Sequence, residues 1–287
     1  MTIWIDGTWR TKETGTVSVL DHGLLYGDGI FEGIRYYHGK VFRLKAHLDR
    51  LYDGTKALLL NPGIEQAAMT KIVEEAVKHD GTQDGYIRLI VTRGQGSLGL
   101  DPSSCPKPSI IVIVDTIKLY PAECYEKGLT LVCASLRRPP ADSLDVRVKS
   151  LNYLNNILAR TEATRAGAQE AVILNHQGNV AECTGDNIFV VRHGVVRVPA
   201  SWHGALEGIT RSVVLELAKK LGIPAEEGTI TMYDLYTADE VFLTGTGAEL
   251  VPVEKVDGRL IGKGTNRPVF DRLRTAFRES LKDPSFF

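Results

Sequence analysis

The sequence predicts an α+β protein built as two domains. Three observations carry that expectation. The 287 residues suffice for two ordinary domains, each with its own core. Before residue 118, two helical periodicities are enclosed between strand-like runs, as in an α+β domain. Residues 119–126 contain Pro121 and few core-like side chains, so they read as a connection. The expected organisation is a small α/β domain at 1–118, a linker at 119–126 and a larger domain at 127–287.

Taken in order, residues 1–19 read as a hairpin turning at Gly7. The glycines of LLYGDGIFEGIRYYHGKVFRL punctuate a strand over 30–37, which turns at His38-Gly39 into 41–44. His47, Leu48, Leu51, Ala57 and Leu58 form one face of a helix over 46–60, stopped by Asn61-Pro62; a second helix covers 65–78. Strands follow at 86–92 and 109–115. Beyond the linker, a buried strand is expected at 129–134 and an irregular loop at 137–145, marked by Pro139-Pro140. Leu151, Leu154, Leu158 and Glu162 recur at helical spacing, with Gly167 as the stop. Strands at 171–174 and 188–191 flank an Asn/Gly-rich turn. A helix over 210–221 ends at Gly222-Ile223-Pro224. A strand at 229–232, a short helix at 234–238, a strand at 240–244, a hairpin over 250–256 and a helix at 267–282 complete the chain.

Composition narrows the functional classes. Hydrophobic residues make up 43% and charged residues 24%, as in soluble globular proteins. A net charge of -1 gives no electrostatic reason to bind nucleic acid or an anionic membrane. The four cysteines contain no C-x-x-C pair and read as reduced thiols, and the histidines lack metal-ligand spacing, so no metal is expected. The first residues show no apolar secretory segment and no apolar run is long enough to span a bilayer, which points to a cytoplasmic protein. Gly94, Gly96 and Gly99 imitate a dinucleotide fingerprint, but Pro102, Pro106 and Pro108 stand where its crossover helix belongs.

The stretch 146–190 carries the chemistry. Lys149 precedes a helix, and Glu182 lies on a nearby hairpin. A lysine amine can form a Schiff base with an aldehyde cofactor, and a carboxylate can keep a pyridinium nitrogen protonated, which suits pyridoxal phosphate. A lysine near a helix start is, by itself, more often a surface group. Gly208 opens a helix beside Thr210, and Thr244-Gly245-Thr246-Gly247 ends a strand in small residues. Both turns let backbone N–H groups approach an anion, although each also reads as an ordinary cap or tight turn. Arg50 and Tyr153, as helix residues, have equally plain structural readings.

The wording KSLNYLNNILA, GNVAECTGDNIFVV, GITR and FLTGTGAELVPV resembles the class IV (fold type IV) pyridoxal-phosphate aminotransferases, most of all the branched-chain amino-acid group. The resemblance covers nearly the whole chain. It implies a two-domain fold type IV enzyme, with a small α/β domain, a larger β-barrel-like domain and pyridoxal 5'-phosphate in the interdomain cleft. It implies that Lys149 is catalytic and that Arg50, Lys149, Tyr153, Glu182, Leu206, Ile209, Thr210 and Thr246 bind the cofactor. Tyr26, Phe31, Gly33, Tyr86, Arg88, Thr246 and Gly247 match substrate-binding positions. The implied reaction moves an amino group between Leu, Ile or Val and 2-oxoglutarate, in a homodimer or a hexamer whose loop 93–100 reaches a partner subunit. GTGAE and LEGITR depart from the usual GTAAE and LPGITR. D-amino-acid aminotransferases resemble the chain at KSLN, but Leu98 stands where their carboxylate-trapping arginine is expected. (R)-amine transaminases and aminodeoxychorismate lyase share the fold and stay open as alternatives.

Overall fold

The computed structural model describes residues 1–287, which divide into two units. In the first, β1 (Thr2–Ile5) and β2 (Thr8–Arg10) form an antiparallel hairpin around Asp6 and Gly7, at φ 46° and 90°. Then come α1 (His22–Tyr26), β3 (Gly29–Tyr37), β4 (Lys40–Val41), α2 (Leu44–Ala57), α3 (Gln66–Asp80), β5 (Gly85–Thr92) and β6 (Ser109–Asp115). The six strands make one antiparallel sheet in the order β2-β1-β6-β5-β3-β4. Strand alternation divides its side chains. Ile30 and Ile34 of β3, Ile87 and Leu89 of β5 and Val112 of β6 share a core with Leu48 and Leu51 of α2 and Met69 and Val73 of α3. Phe31 and Gly33 alternate to the opposite face.

In the second unit the order is α4 (Cys124–Lys127), β7 (Leu129–Arg137), α5 (Leu154–Arg165), β8 (Glu170–Leu174), β9 (Val180–Cys183), β10 (Asn187–Arg192), β11 (Val195–Pro199), α6 (Ile209–Lys220), β12 (Ala225–Gly228), α7 (Met232–Tyr236), β13 (Glu240–Gly245), β14 (Glu249–Val256), β15 (Arg259–Leu260) and α8 (Pro268–Ser280). The sheet runs β12-β11-β10-β13-β14-β7-β8-β9, with β15 on β14. It mixes antiparallel pairs with the parallel pairs β11–β12, β14–β7 and β7–β8. β9 also touches β10 and β11, so the sheet curls back on itself. Leu129, Leu131, Val172, Ile188, Leu243 and Val251 lie within the main core. No helix of the protein is long and apolar enough to cross a membrane.

Four local expectations differ from the structure. Residues 119–126 are not a free connection, because Tyr120 and Cys124 belong to the core of the second unit. Val148–Asn152 and Asp283–Phe287 belong to the first unit, although the sequence reading put both beyond residue 127. The first of these segments bridges β3: Ile30 pairs with Ser150, Phe31 N donates to Lys149 O, and Leu151 N donates to Gly29 O. Residues 229–232 do not form a strand. Thr231 caps α7 instead, in a reciprocal box with Asp234, and the edge strand is β12. Finally, α5 starts at Leu154 and buries the opposite face from the one its leucines suggest. Leu154 and Leu158 are exposed, whereas Asn156, Ala159 and Ala163 are buried. Alanines allow the helix backbone to lie close to the sheet, where they pack with Ala134, Ala171 and Ile173.

Candidate active site

The first unit gathers several predicted residues on one face of its sheet. Gly33 of β3 pairs in register with Arg88 of β5, and Arg35 with Tyr86. The Arg88 guanidinium lies 4.5 Å from the Phe31 ring centroid and 5.6 Å from that of Tyr86. Lys149 Nζ stands 4.6 Å from the Phe31 centroid. Gly33 leaves room here for the Tyr86 ring, because a Cβ would come within 2.0 Å of its hydroxyl. Lys149, Phe31, Gly33, Tyr86 and Arg88 therefore form one cluster of an amine, an apolar ring and a guanidinium. Tyr26 is engaged elsewhere: from α1, its hydroxyl donates to the Leu98 carbonyl at 2.5 Å. His22, also on α1, bonds the Ser97 carbonyl at 2.8 Å, so α1 fastens the loop 93–100.

Arg50 lies on the other face of that sheet, against the buried Glu32. Its Nε donates to Glu32 Oε1 at 2.8 Å, and its Nη2 to Oε2 at 2.7 Å. Burial pushes the Glu32 carboxyl up, but the charge of Arg50 and hydrogen bonds from His47 and Arg50 outweigh it and hold the group at about 2.

In the second unit, Glu182 on β9 is the centre of a buried polar network. Arg138 Nη2 donates to Glu182 Oε1. Asn187 Nδ2 and Leu206 N each donate to Oε2, at 3.0 Å. Arg138 is itself buried and donates to Asn156 Oδ1 at 3.0 Å and to Gly204 O at 3.2 Å. Glu182 is thus a rigid carboxylate whose lone pairs are aimed by an ion pair and two amide donors.

Two turns flank this network. Asn187 Nδ2 also donates to Leu206 O at 2.8 Å, which ties Glu182 to the start of α6. Gly208 is the N-cap of α6 and brings no side-chain cap. A Cβ on Gly208 would fall 2.0 Å from Asn187 Oδ1, so glycine lets these segments meet without displacing the Asn187 amide. Thr210 is buried in the first turn of α6, next to half-buried Ile209. β13 ends in Thr244-Gly245, and the buried Thr244 hydroxyl has no hydrogen-bond partner. Thr246 and Gly247 form the turn into β14, whose first residue, Glu249, takes a φ of 59°. Tyr153 is the N-cap of α5, and its carbonyl accepts from Ile157 N.

Comparison with known proteins identifies the family. Residues 29–256 match the family model described as amino-transferase class IV. The chain belongs to the class IV aminotransferases. A Methanocaldococcus jannaschii protein is 47% identical over 279 residues, covering 97% of this chain and 96% of that one. The branched-chain-amino-acid aminotransferase of Pseudomonas aeruginosa is 36% identical over 280 residues, covering 96% and 91%. Among solved structures, the T.th. branched-chain amino acid aminotransferase with pyridoxamine 5'-phosphate has a TM-score of 0.94 at 38% identity, covering 99% of this chain and 96% of that one. The same protein has also been solved with N-(5'-phosphopyridoxyl)-L-glutamate and with 4-methylvaleric acid, both at a TM-score of 0.92 and with the same identity and coverage.

Several residues around the candidate site of this class IV aminotransferase escape sequence reasoning. Arg138 falls in the segment read as an irregular loop. The adjacent asparagines at 155 and 156 are a faint signal, because asparagine is a poor helix former and its presence inside α5 asks for a polar partner. Behind the network lies a second acidic group. Asp186 is buried, accepts from the Tyr120 hydroxyl at 2.7 Å on Oδ2, and has no partner at Oδ1. Burial and the charge of Glu170 push its carboxyl up to about 7. Glu170 is satisfied by Ala171 N, Thr184 N and Arg160.

Proposed function

We propose that this class IV aminotransferase moves the amino group between branched-chain L-amino acids and 2-oxoglutarate, with pyridoxal 5'-phosphate as cofactor and Lys149 as the catalytic base and acid. One observation carries the reading: Lys149, Phe31, Gly33, Tyr86 and Arg88 share one face of one sheet. The apolar Phe31 suits a branched aliphatic side chain, and Arg88 suits the distal carboxylate of glutamate. The glutamate adduct and the branched acid found with the T.th. branched-chain amino acid aminotransferase support both kinds of occupant.

The residues present fit the cofactor. A fixed carboxylate, Glu182, suits a protonated ring nitrogen. The uncapped start of α6 at Gly208, with Ile209 and Thr210, suits a phosphate, as does the turn at Thr246. When bound, pyridoxal phosphate supplies an electron sink for charge developing at the substrate α-carbon. Lys149 Nζ would carry the proton between that carbon and C4′ of the cofactor, acting as base and then as acid. Glu182 would accept the N–H of the ring nitrogen, and Arg138, Asn187 and Leu206 hold its carboxylate in place. Arg50, Leu206, Ile209, Thr210 and Thr246 would hold the cofactor, and Tyr153 would donate to its phenolic oxygen. Thr246 and Gly247 offer backbone donors to the substrate α-carboxylate. The D-amino-acid reading lacks its arginine, because position 98 is leucine.

The same reading takes the enzyme as cytoplasmic and as a homodimer or an assembly of dimers, with Tyr26 and the loop that α1 fastens reaching toward a partner's substrate. The test is the absorbance of the protein loaded with cofactor, followed as L-leucine, D-alanine and (R)-1-phenylethylamine are added in turn. A change with L-leucine alone is expected; a change with D-alanine or the amine, and none with L-leucine, refutes the substrate class. Lys149→Ala should keep its fold by circular dichroism and lose turnover altogether.

A further inference from the structure

β3 buries Glu32 completely, on the face that also carries Ile30 and Ile34. A carboxylate in that position is costly unless it is fully paired. α2 supplies the pairing from two residues one turn apart, Arg50 and His47. Glu32 binds the side edge of the Arg50 guanidinium, through Nε and Nη2, with both oxygens. That fixes the plane of the guanidinium and turns its end edge away from Glu32. His47 Nδ1 lies 2.8 Å from Glu32 Oε2, and because an ionised Glu32 can only accept, Nδ1 carries the proton. His47 is fully buried, and its Nε2 has no hydrogen-bond partner. The trio is therefore built into the core rather than assembled at the surface, with its acid on a strand and its two bases on a helix.

We propose that Glu32 and His47 are positioning residues that hold Arg50 in the one orientation with which it receives the cofactor phosphate. The inference rests on the reading of Arg50 as a phosphate ligand. Two physical effects oppose each other at Glu32. A carboxylate close to a phosphate site weakens anion binding by its charge. A carboxylate that immobilises the arginine strengthens binding, because the side chain is ordered before the ligand arrives. The two hydrogen bonds to Arg50 match the charge of Glu32 locally, so ordering outweighs repulsion.

Glu32→Gln separates the two effects, since it keeps the shape and removes the charge. Binding of pyridoxal phosphate to the cofactor-free full chain is compared with binding of pyridoxal, which lacks the phosphate, by equilibrium dialysis. The expected result is a loss of about tenfold in pyridoxal phosphate affinity, with pyridoxal binding unchanged. Equal or tighter pyridoxal phosphate binding overturns the proposal, as does an equal loss for both ligands. Arg50→Lys is measured alongside. If it leaves the ratio of the two affinities unchanged, Arg50 is not a phosphate ligand; if it lowers the ratio while Glu32→Gln does not, only the positioning role fails. Should Glu32→Gln not fold, His47→Leu and His47→Asn take its place. Asparagine keeps a donor near the Nδ1 position, so the ratio should fall for leucine and be retained for asparagine; the same ratio in both overturns the proposal.

Discussion

Replacing Arg138 by methionine tests the polar network around Glu182. The change preserves much of the side-chain volume but leaves Glu182 with two neutral donors, Asn187 Nδ2 and Leu206 N. Both members of the ion pair are at most 7% exposed, so solvent screening offers little relief. Removing one partner of a buried pair costs about 3–5 kcal/mol. Asn156 Oδ1 and Gly204 O lose their donor as well, which places the cost toward the upper end, about 5 kcal/mol. At about 2 °C per kcal/mol for a chain of this size, the cofactor-free protein should melt about 10 °C lower. Melting curves at pH 8 read this directly. Adding Glu182→Gln should recover part of the loss, because it removes the stranded charge. A melt within 2 °C of the parent protein at pH 8 (about 1 kcal/mol), or a double variant whose cost is the sum of the single ones, would refute the account.

Asp186→Asn should stabilise the protein more at pH 8 than at pH 5. A folded carboxyl raised to about 7 keeps its proton while the unfolded one has lost it, so the parent protein loses stability as pH climbs from 3.8 through 7. The difference between the two melting curves should widen by up to about 4 kcal/mol over that window; a pH-independent difference would exclude a protonated Asp186. Gly208→Ala meets no backbone strain at φ -66°, but its methyl would press on Asn187 Oδ1. A loss of about 2 kcal/mol and weaker cofactor binding are expected, measured by chemical denaturation and dialysis; unchanged values would mean that Asn187 can move without disturbing Glu182.

Much of the fold was legible from local signals. The hairpin at Gly7, the strands β3 and β5 and the glycine-opened helix α6 follow from alternation, turn residues and capping, which act over a few positions. The same signals misled at α5. Its leucines mark a helix, but its buried face is chosen by the close approach of Ala159 and Ala163 to the sheet. The family wording supplied Lys149, Glu182 and Arg50 as candidates, whereas their supports stayed hidden. Arg138 meets Glu182 across 44 positions and Glu32 meets His47 across 15. Such pairings depend on which strand or helix face a residue occupies, and charge alone does not announce it. Arg138 reads as a loop cation and Glu32 as an interruption in an apolar strand.

The segment Val148–Asn152 has a consequence for how the chain can be divided. It pairs with β3 in the first unit, whereas the residues before and after it belong to the second. The chain therefore passes from one unit to the other four times. A gene fragment ending at residue 117 would encode most of the first unit without the segment that carries the lysine. During synthesis, β3 waits for residue 152 to emerge before its outer hydrogen bonds can close. The contact of Arg43 N with Phe286 O waits longer still. The reactive amine is thus delivered late to a framework begun early, and any piece that keeps Lys149 on its sheet must also carry residues 118–147 of the second unit.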